Sequence, residues 1–347
     1  MEHKLGLKNT PVAKVRNGVR FVHRILALVI GLFCFPYVAA NVKAISAFES
    51  NQLDTAKQLF LQQIESGGED AMSFHYLAKI ALRNGDLDVA EEYIMNAASI
   101  TPDNDLIQYE VARVMSHQAM SASVFSVMGY AKKALKAYKA AAILKPDIIR
   151  YRQSLMNFYL KAPGMLGGDL ELAKAEAKAI AELDEAQGEL AIIDIKLNSG
   201  ELTDEAGMYS AALTKFPNNV HILLRRGKLY QSKEKFSLAA DDFRKVSKLK
   251  LGDNIEVLRL TALYEHGRNS VLSQNNLEEG LSALQLFLAD YVYHEKLPTR
   301  PWAKYQLGQL LLIQGKSESA QTLFIEAKNT TTDSELIKLL KTELKKV

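Results

Sequence analysis

The sequence runs to 347 residues, 48% hydrophobic and 24% charged, with 19 glycines and 8 prolines, which excludes collagenous, low-complexity and disordered chains. One cysteine, Cys34, excludes an internal disulfide framework and a Cys-ligated metal site within one chain. The net charge of +3 sits at the N-terminus: residues 1–40 carry Lys4, Lys8, Lys14, Arg16, Arg20 and Arg24 against Glu2, leaving 37 basic and 39 acidic residues, so the body has no overall electrostatic pull on nucleic acid or anionic lipid.

In chain order, the first element is a basic stretch ending at Arg24, followed by the uncharged run Ile25 to Ala40. A basic flank, a short apolar core and a small-residue end are the parts of a secretory signal, and Val38-Ala39-Ala40 fits cleavage before Asn41. The apolar run is 16 residues, short of the ~20 that cross a bilayer comfortably. Extended back to Phe21, with His23 and Arg24 at the cytoplasmic interface, it reads instead as an uncleaved anchor. Both readings stand, with a transit peptide or a buried helix behind them. Signal and anchor alike place the body outside the cytoplasm or across an internal membrane.

Beyond residue 40 a pattern repeats. Residues 74–102 contain Phe74, Leu77, Ala78, Ala81, Gly85, Ala90, Ile94, Ala97 and Pro102. Small residues at Ala78, Ala90 and Ala97 let two antiparallel helices approach closely, Gly85 suits the left-handed position after the first helix, and Pro102 ends the second. Leu223, Gly227, Tyr230, Ala239 and Phe243 repeat the spacing, as do Leu307, Gly308, Gly315, Ala320, Phe324 and Ala327. The small residue of the second helix recurs at Ala56, Ala90, Ala134, Ala173, Ala206, Ala239 and Ala320, with a degenerate unit near Gly280.

Between Ala112 and Ala134 the third unit holds about ten extra residues, through the Ser-, Met- and Ala-rich 116–129. The fourth has an insert at 162–168, which predicts a helix stop and a tight turn, and the seventh is lengthened at 269–276 and 291–298. Insertions in repeat arrays map to loops. After Asn329, residues 330–347 predict a cap helix with Asp333 or Ser334 as N-cap and Leu336, Leu339, Leu340 and Leu344 as its apolar stripe.

On these residues the chain resembles the tetratricopeptide repeat (TPR) family over roughly 41–329, and its 162–168 insert is similar to one in TPR proteins of the bacterial cell envelope. The resemblance implies an all-α, right-handed superhelical solenoid of about eight TPR-like helix pairs, closed by the C-terminal cap helix. It implies a location in the periplasm, free or anchored in the inner membrane with the repeats on the periplasmic side.

Residues for chemistry are missing. The seven histidines have no i, i+4 pair, and neither HExxH, GxSxG nor a GxxxxGK[ST] phosphate loop occurs. No enzyme, cofactor or metal is expected. In the family, the first helix of each unit lines the inner face, which implies a partner-binding groove of His75, Lys79, Arg83, Tyr109, Arg113, Arg150, Gln153, Asn157, Lys228, Trp302 and Tyr305. This face leans basic early on and suits an extended acidic or C-terminal peptide. The family's carboxylate clamp is not reproduced in any three successive units. The expected function is a non-catalytic protein-interaction scaffold of the cell envelope, in a pilus, secretion or polysaccharide-export assembly, with a regulatory adaptor of a partner enzyme as the alternative. The expected partner is a protein or peptide, not nucleic acid, and membrane contact is expected only through residues 1–40.

Overall fold

The computed structural model describes residues 41–67, 70–201, 204–249, 255–294 and 296–346. Residues 1–40, where the signal or anchor is expected, lie outside them. Among the described residues all regular structure is helical, and no helix is long and apolar enough to cross a membrane. They divide into two compact units after Pro102.

The first unit holds α1 (residues 41–49), α2 (Leu53–Gly67), α3 (Ala71–Asn84) and α4 (Leu87–Ile100). Its small residues do what the spacing predicts: Ala56, Ala78, Ala90 and Ala97 are fully buried where the helices cross. Gly85 ends α3 at φ 81°, its N–H donating to the carbonyls of Ala81 and Leu82, a conformation that side chains other than glycine resist. Asp70 opens the same helix by accepting from the N–H groups of Met72 and Ser73. Phe48, Phe60 and Tyr76 knit α1, α2 and α3 together, with Phe60 stacked on Tyr76 and Phe48 edge-on to it, both at 5.0 Å.

The second unit continues with α5 (Asp105–Ser121), α6 (Val127–Leu144), α7 (Ile149–Lys161) and α8 (Leu170–Leu183). Then come α9 (Glu185–Asn198), α10 (Glu205–Lys215), α11 (Val220–Ser232), α12 (Phe236–Lys248), α13 (Glu256–Ser273) and α14 (Leu277–Ala289). It closes with α15 (Arg300–Ile313), α16 (Ser317–Thr330) and α17 (Ser334–Glu343). Each helix packs on the next, and α7, α9, α11, α13 and α15 also touch in series. That is the wiring of a helix-pair solenoid, in which first helices stack on first helices.

Within a pair, a glycine on the first helix receives a large side chain from the second. A Cβ on Gly227 would lie 2.7 Å from the Phe243 ring, and one on Gly308 would lie 2.4 Å from Phe324. Gly267 admits Leu284 in the same way, and Gly280 takes the small-residue place on α14, against Ser270. Ala134, Ala173, Ala239 and Ala320 are fully buried, whereas Ala206, second residue of the short α10, is half-buried. Asp184 both ends α8 and caps α9, accepting from the Gln187 N–H at 2.9 Å, so these two helices meet with no loop between them.

The expected loop at 116–129 is a correction. The extra residues lengthen α5 and α6 to 17 and 18 residues, leaving a link of only 122–126. Residues 269–273 likewise extend α13, while 291–298 carries no helix among its described residues. The Ser, Met and Ala of the first insert are compatible with helix, and the paired elongation of adjacent helices buries more surface than a free loop would.

The cap follows the prediction. Leu336 and Leu340 of α17 are fully buried against Ala320, Phe324 and Ala327. Asp333 is the N-cap, accepting from the N–H groups of Glu335 and Leu336 and from the Trp302 indole at 2.9 Å.

Two outcomes test this packing. Phe324→Ala opens a void between α15, α16 and α17 and is expected to cost about 3–5 kcal/mol in denaturant unfolding. The Leu336 N–H, then the Trp302 indole, hold the Asp333 carboxyl below the ordinary range. Its stabilisation is therefore complete above the ordinary carboxylate pKa and disappears as pH falls through the depressed one. Between about pH 4.5 and 2.5, the wild type is expected to lose more melting temperature than Asp333→Asn; equal losses would refute the assignment.

Candidate functional site

In the second unit, the exposed face of the stacked first helices is built from polar and aromatic side chains bonded from one helix to the next. The Tyr109 hydroxyl of α5 meets the Ser154 hydroxyl of α7 at 3.2 Å, and Gln153 of α7 donates to Gln187 of α9 at 3.0 Å. Asp194 of α9 pairs with Arg225 of α11, and Lys228 pairs with Glu265 of α13 at 3.3 Å. Arg268 of α13 donates to Gln231 of α11. These contacts fix the rotation of each first helix against its neighbour.

At the α5–α7 end, the Arg150 guanidinium lies 5.0 Å from the centre of the Tyr109 ring and 5.5 Å from that of Tyr151. The Tyr151 hydroxyl donates to Asp105 at 2.8 Å; burial, then this bond, pushes its pKa up to about 12. Arg113 pairs with buried Glu110 at 3.2 Å. Burial and then the charge of Arg113 push the His117 pKa down, so this imidazole is neutral at pH 7.

Beside this face, a pocket of about 370 Å³ opens between the lengthened ends of α5 and α6 and the end of α7. Met120 and Ala119 come from α5, and Val127, Ala131 and Tyr138 from α6. Ser154, Asn157, Phe158 and Lys161 of α7 form the opposite wall, with Leu166 from the insert after it. That insert is a folded turn. The N–H groups of Leu166 and Gly168 both donate to the Pro163 carbonyl, and Asp169 N–H returns to the Tyr159 carbonyl at 3.0 Å. A short 3-10 helix, Gly164–Leu166, leads into Gly167 at φ 101°, where a Cβ would lie 2.7 Å from Leu135. A Cβ on Gly168 would lie 1.7 Å from the Ala162 carbonyl oxygen. The glycines are there so that the chain can lie flat on α6 and α7, as the predicted helix stop and tight turn requires.

The eleven groove residues are not one cluster. Tyr109, Arg113, Arg150, Gln153 and Asn157 come together on α5 and α7. Lys228 is exposed further along, on α11. His75, Lys79 and Arg83 belong to the first unit, where α1 occupies the side chains of Lys79 and Arg83. Arg83 stacks on the Phe48 ring at 4.0 Å, Lys79 lies 5.0 Å from the same ring, and His75 is buried edge-on to Tyr76. Trp302 and Tyr305 seat the cap helix: Trp302 bonds Asp333, and Tyr305 packs on Phe324 with ring centres 6.0 Å apart. Among the described residues no three His, Cys, Asp or Glu side chains are grouped to hold a metal ion. The sequence flagged both inserts but not the pocket they enclose.

The architecture is that of an all-helical solenoid of paired helices. Residues 73–104, which span the α3–α4 pair, match the family model of the tetratricopeptide repeat. Three solved structures are similar to the chain. A thermophilic TPR protein of Thermus thermophilus shares 19% identity at a TM-score of 0.43, over 55% of this chain and 97% of that one. A tetratricopeptide repeat protein from Parabacteroides merdae shares 18% at 0.43, over 79% and 98%. The C-terminal part of a TPR repeat-containing protein from Cytophaga hutchinsonii shares 13% at 0.41, over 72% and 94%. No curated protein matches the chain.

Gly168→Ala is expected to lower stability by about 1–3 kcal/mol, because the turn must lift off the end of α7. Gly164→Ala, whose Cβ meets nothing within 4 Å, is expected to stay within about 0.5 kcal/mol of wild type. Thermal melts of the two variants check this; equal effects would refute the packed turn.

Proposed function

We propose that this protein is a non-catalytic interaction scaffold of the bacterial cell envelope, engaging a protein partner along the exposed first-helix face of its second unit. The observation that carries the reading is the continuous surface from Tyr109 and Arg150 to Asn157, which adjoins an apolar pocket. A preorganised, hydrogen-bonded face beside an apolar hole is the anatomy of a recognition surface. Tetratricopeptide repeats generally serve as interaction scaffolds, and the repeat matched at 73–104 supports that role here. The envelope location rests on residues 1–40, whose basic stretch and apolar run fit an export signal or an anchor. A pilus, secretion or polysaccharide-export machine is the kind of assembly it would serve.

The test is capture of partners by the full chain from cross-linked envelope fractions. Arg150→Glu with Lys228→Glu is expected to reduce recovery of specific partners about tenfold or more, with the fold unchanged by circular dichroism. Recovery unaffected by the double variant sinks the groove reading. The chain is also expected in the membrane fraction at full length, or in the periplasm with an intact mass beginning at Asn41. A full-length cytosolic chain sinks the location.

A further inference from the structure

The two segments beside the pocket are the most exposed apolar stretches near it. Met120 at the end of α5 is 78% exposed, Val124 and Phe125 on the α5–α6 link are 87% and 97%, and across the mouth Met165 is 76% exposed on the folded turn after α7. Water-facing apolar groups on both sides of one hole form a patch of the kind that marks an interaction site. Methionine adds a flexible, polarisable contact that adapts to the shape of an incoming side chain.

Charge says what kind of side chain surrounds the anchor. Residues 111–168 contain nine lysines and arginines and a single acid, Asp147, in a body that is close to neutral as a whole. Arg113 and Arg152 pair with Glu110 and Glu176. Lys161 is exposed in the pocket wall itself. Ser154 and Asn157 complete that wall and join the pocket to the groove. A small apolar molecule would use the hole but not Lys161. A bilayer surface would use Lys161 and Phe125, but a flat surface cannot fill a concavity lined by Ala131 and Tyr138. A peptide helix uses all of them.

Resting on the scaffold reading above, we infer that this pocket takes the apolar anchor of an acidic amphipathic helix in the partner protein, with Lys161 facing its carboxylates. The acidic face gives attraction and orientation, and the buried anchor gives residence.

The native chain has one tryptophan, Trp302, so a full-length Phe125→Trp/Trp302→Phe protein reports on the rim alone. It is titrated with a Glu-rich helical peptide carrying leucines at i, i+3 and i+7, with the Lys-rich version of the same peptide, and with phosphatidylglycerol vesicles. The expected result is a saturable blue shift with the Glu-rich peptide, at least about tenfold tighter than with the Lys-rich one. Met120→Ser and Lys161→Glu, both at exposed positions, should each weaken it about tenfold. Equal binding of the two peptides, binding of neither, or indifference to both variants overturns the inference. A shift with vesicles and none with peptide overturns it in favour of a lipid surface. If the peptide fails while partner capture still depends on Arg150 and Lys228, the pocket inference falls and the scaffold reading stands; if both fail, both fall.

Discussion

Close approach between paired helices is the constraint on which the rest of this molecule depends. Where Gly227 faces Phe243 and Gly308 faces Phe324, a single added methyl would collide with a ring, so the missing Cβ sets the distance between the two helix axes. That distance lets the fully buried alanines of the second helices, such as Ala239 and Ala320, meet the neighbouring helix. With spacing set by small residues and filled by Phe or Leu, each pair has one good packing arrangement. First helices then stack on first helices, and their outward residues become a surface. Recognition chemistry here is a by-product of how tightly the pairs close.

The fold was legible in the sequence because that constraint has a period. Ala56, Ala90, Ala134, Ala173, Ala239 and Ala320 all stand fully buried, and the spacing alone picked them out. Ala206 differs because it sits in the first turn of α10, where the helix has not yet gathered its neighbours. The N-cap at Asp333 and the stripe through Leu336 and Leu340 were legible for the same reason: caps and stripes are local rules.

The site was less legible, since periodicity fixes which way a side chain points but not what lies over it. Lys79 and Arg83 point as first-helix residues should, yet α1 brings Phe48 onto them, and His75 is buried. Trp302 and Tyr305 point the same way, and the cap helix covers them. Only between α5 and α7 does the expected face remain together at the surface. The pocket was hidden for a different reason. It arises from two separate length changes, one that elongates α5 and α6 and one that folds a turn after α7, and neither defines a cavity alone. A basic run in a near-neutral body was visible in the sequence, but its meaning depended on the hole it surrounds.

Asp184 carries a consequence for how this chain tolerates insertion and deletion. The residue belongs to two helices at once, so there is no slack at that joint to absorb a change of length. One residue added there would advance everything downstream by about 100° of helical phase, turning Gln187 of α9 away from Gln153 of α7. At 122–126 or 162–168, by contrast, helices are joined by non-helical links or a short turn that can take up a change of length. The molecule thus has joints where its sequence can grow and a joint that keeps its successive faces in step, and the second kind preserves the alignment on which a long binding surface depends.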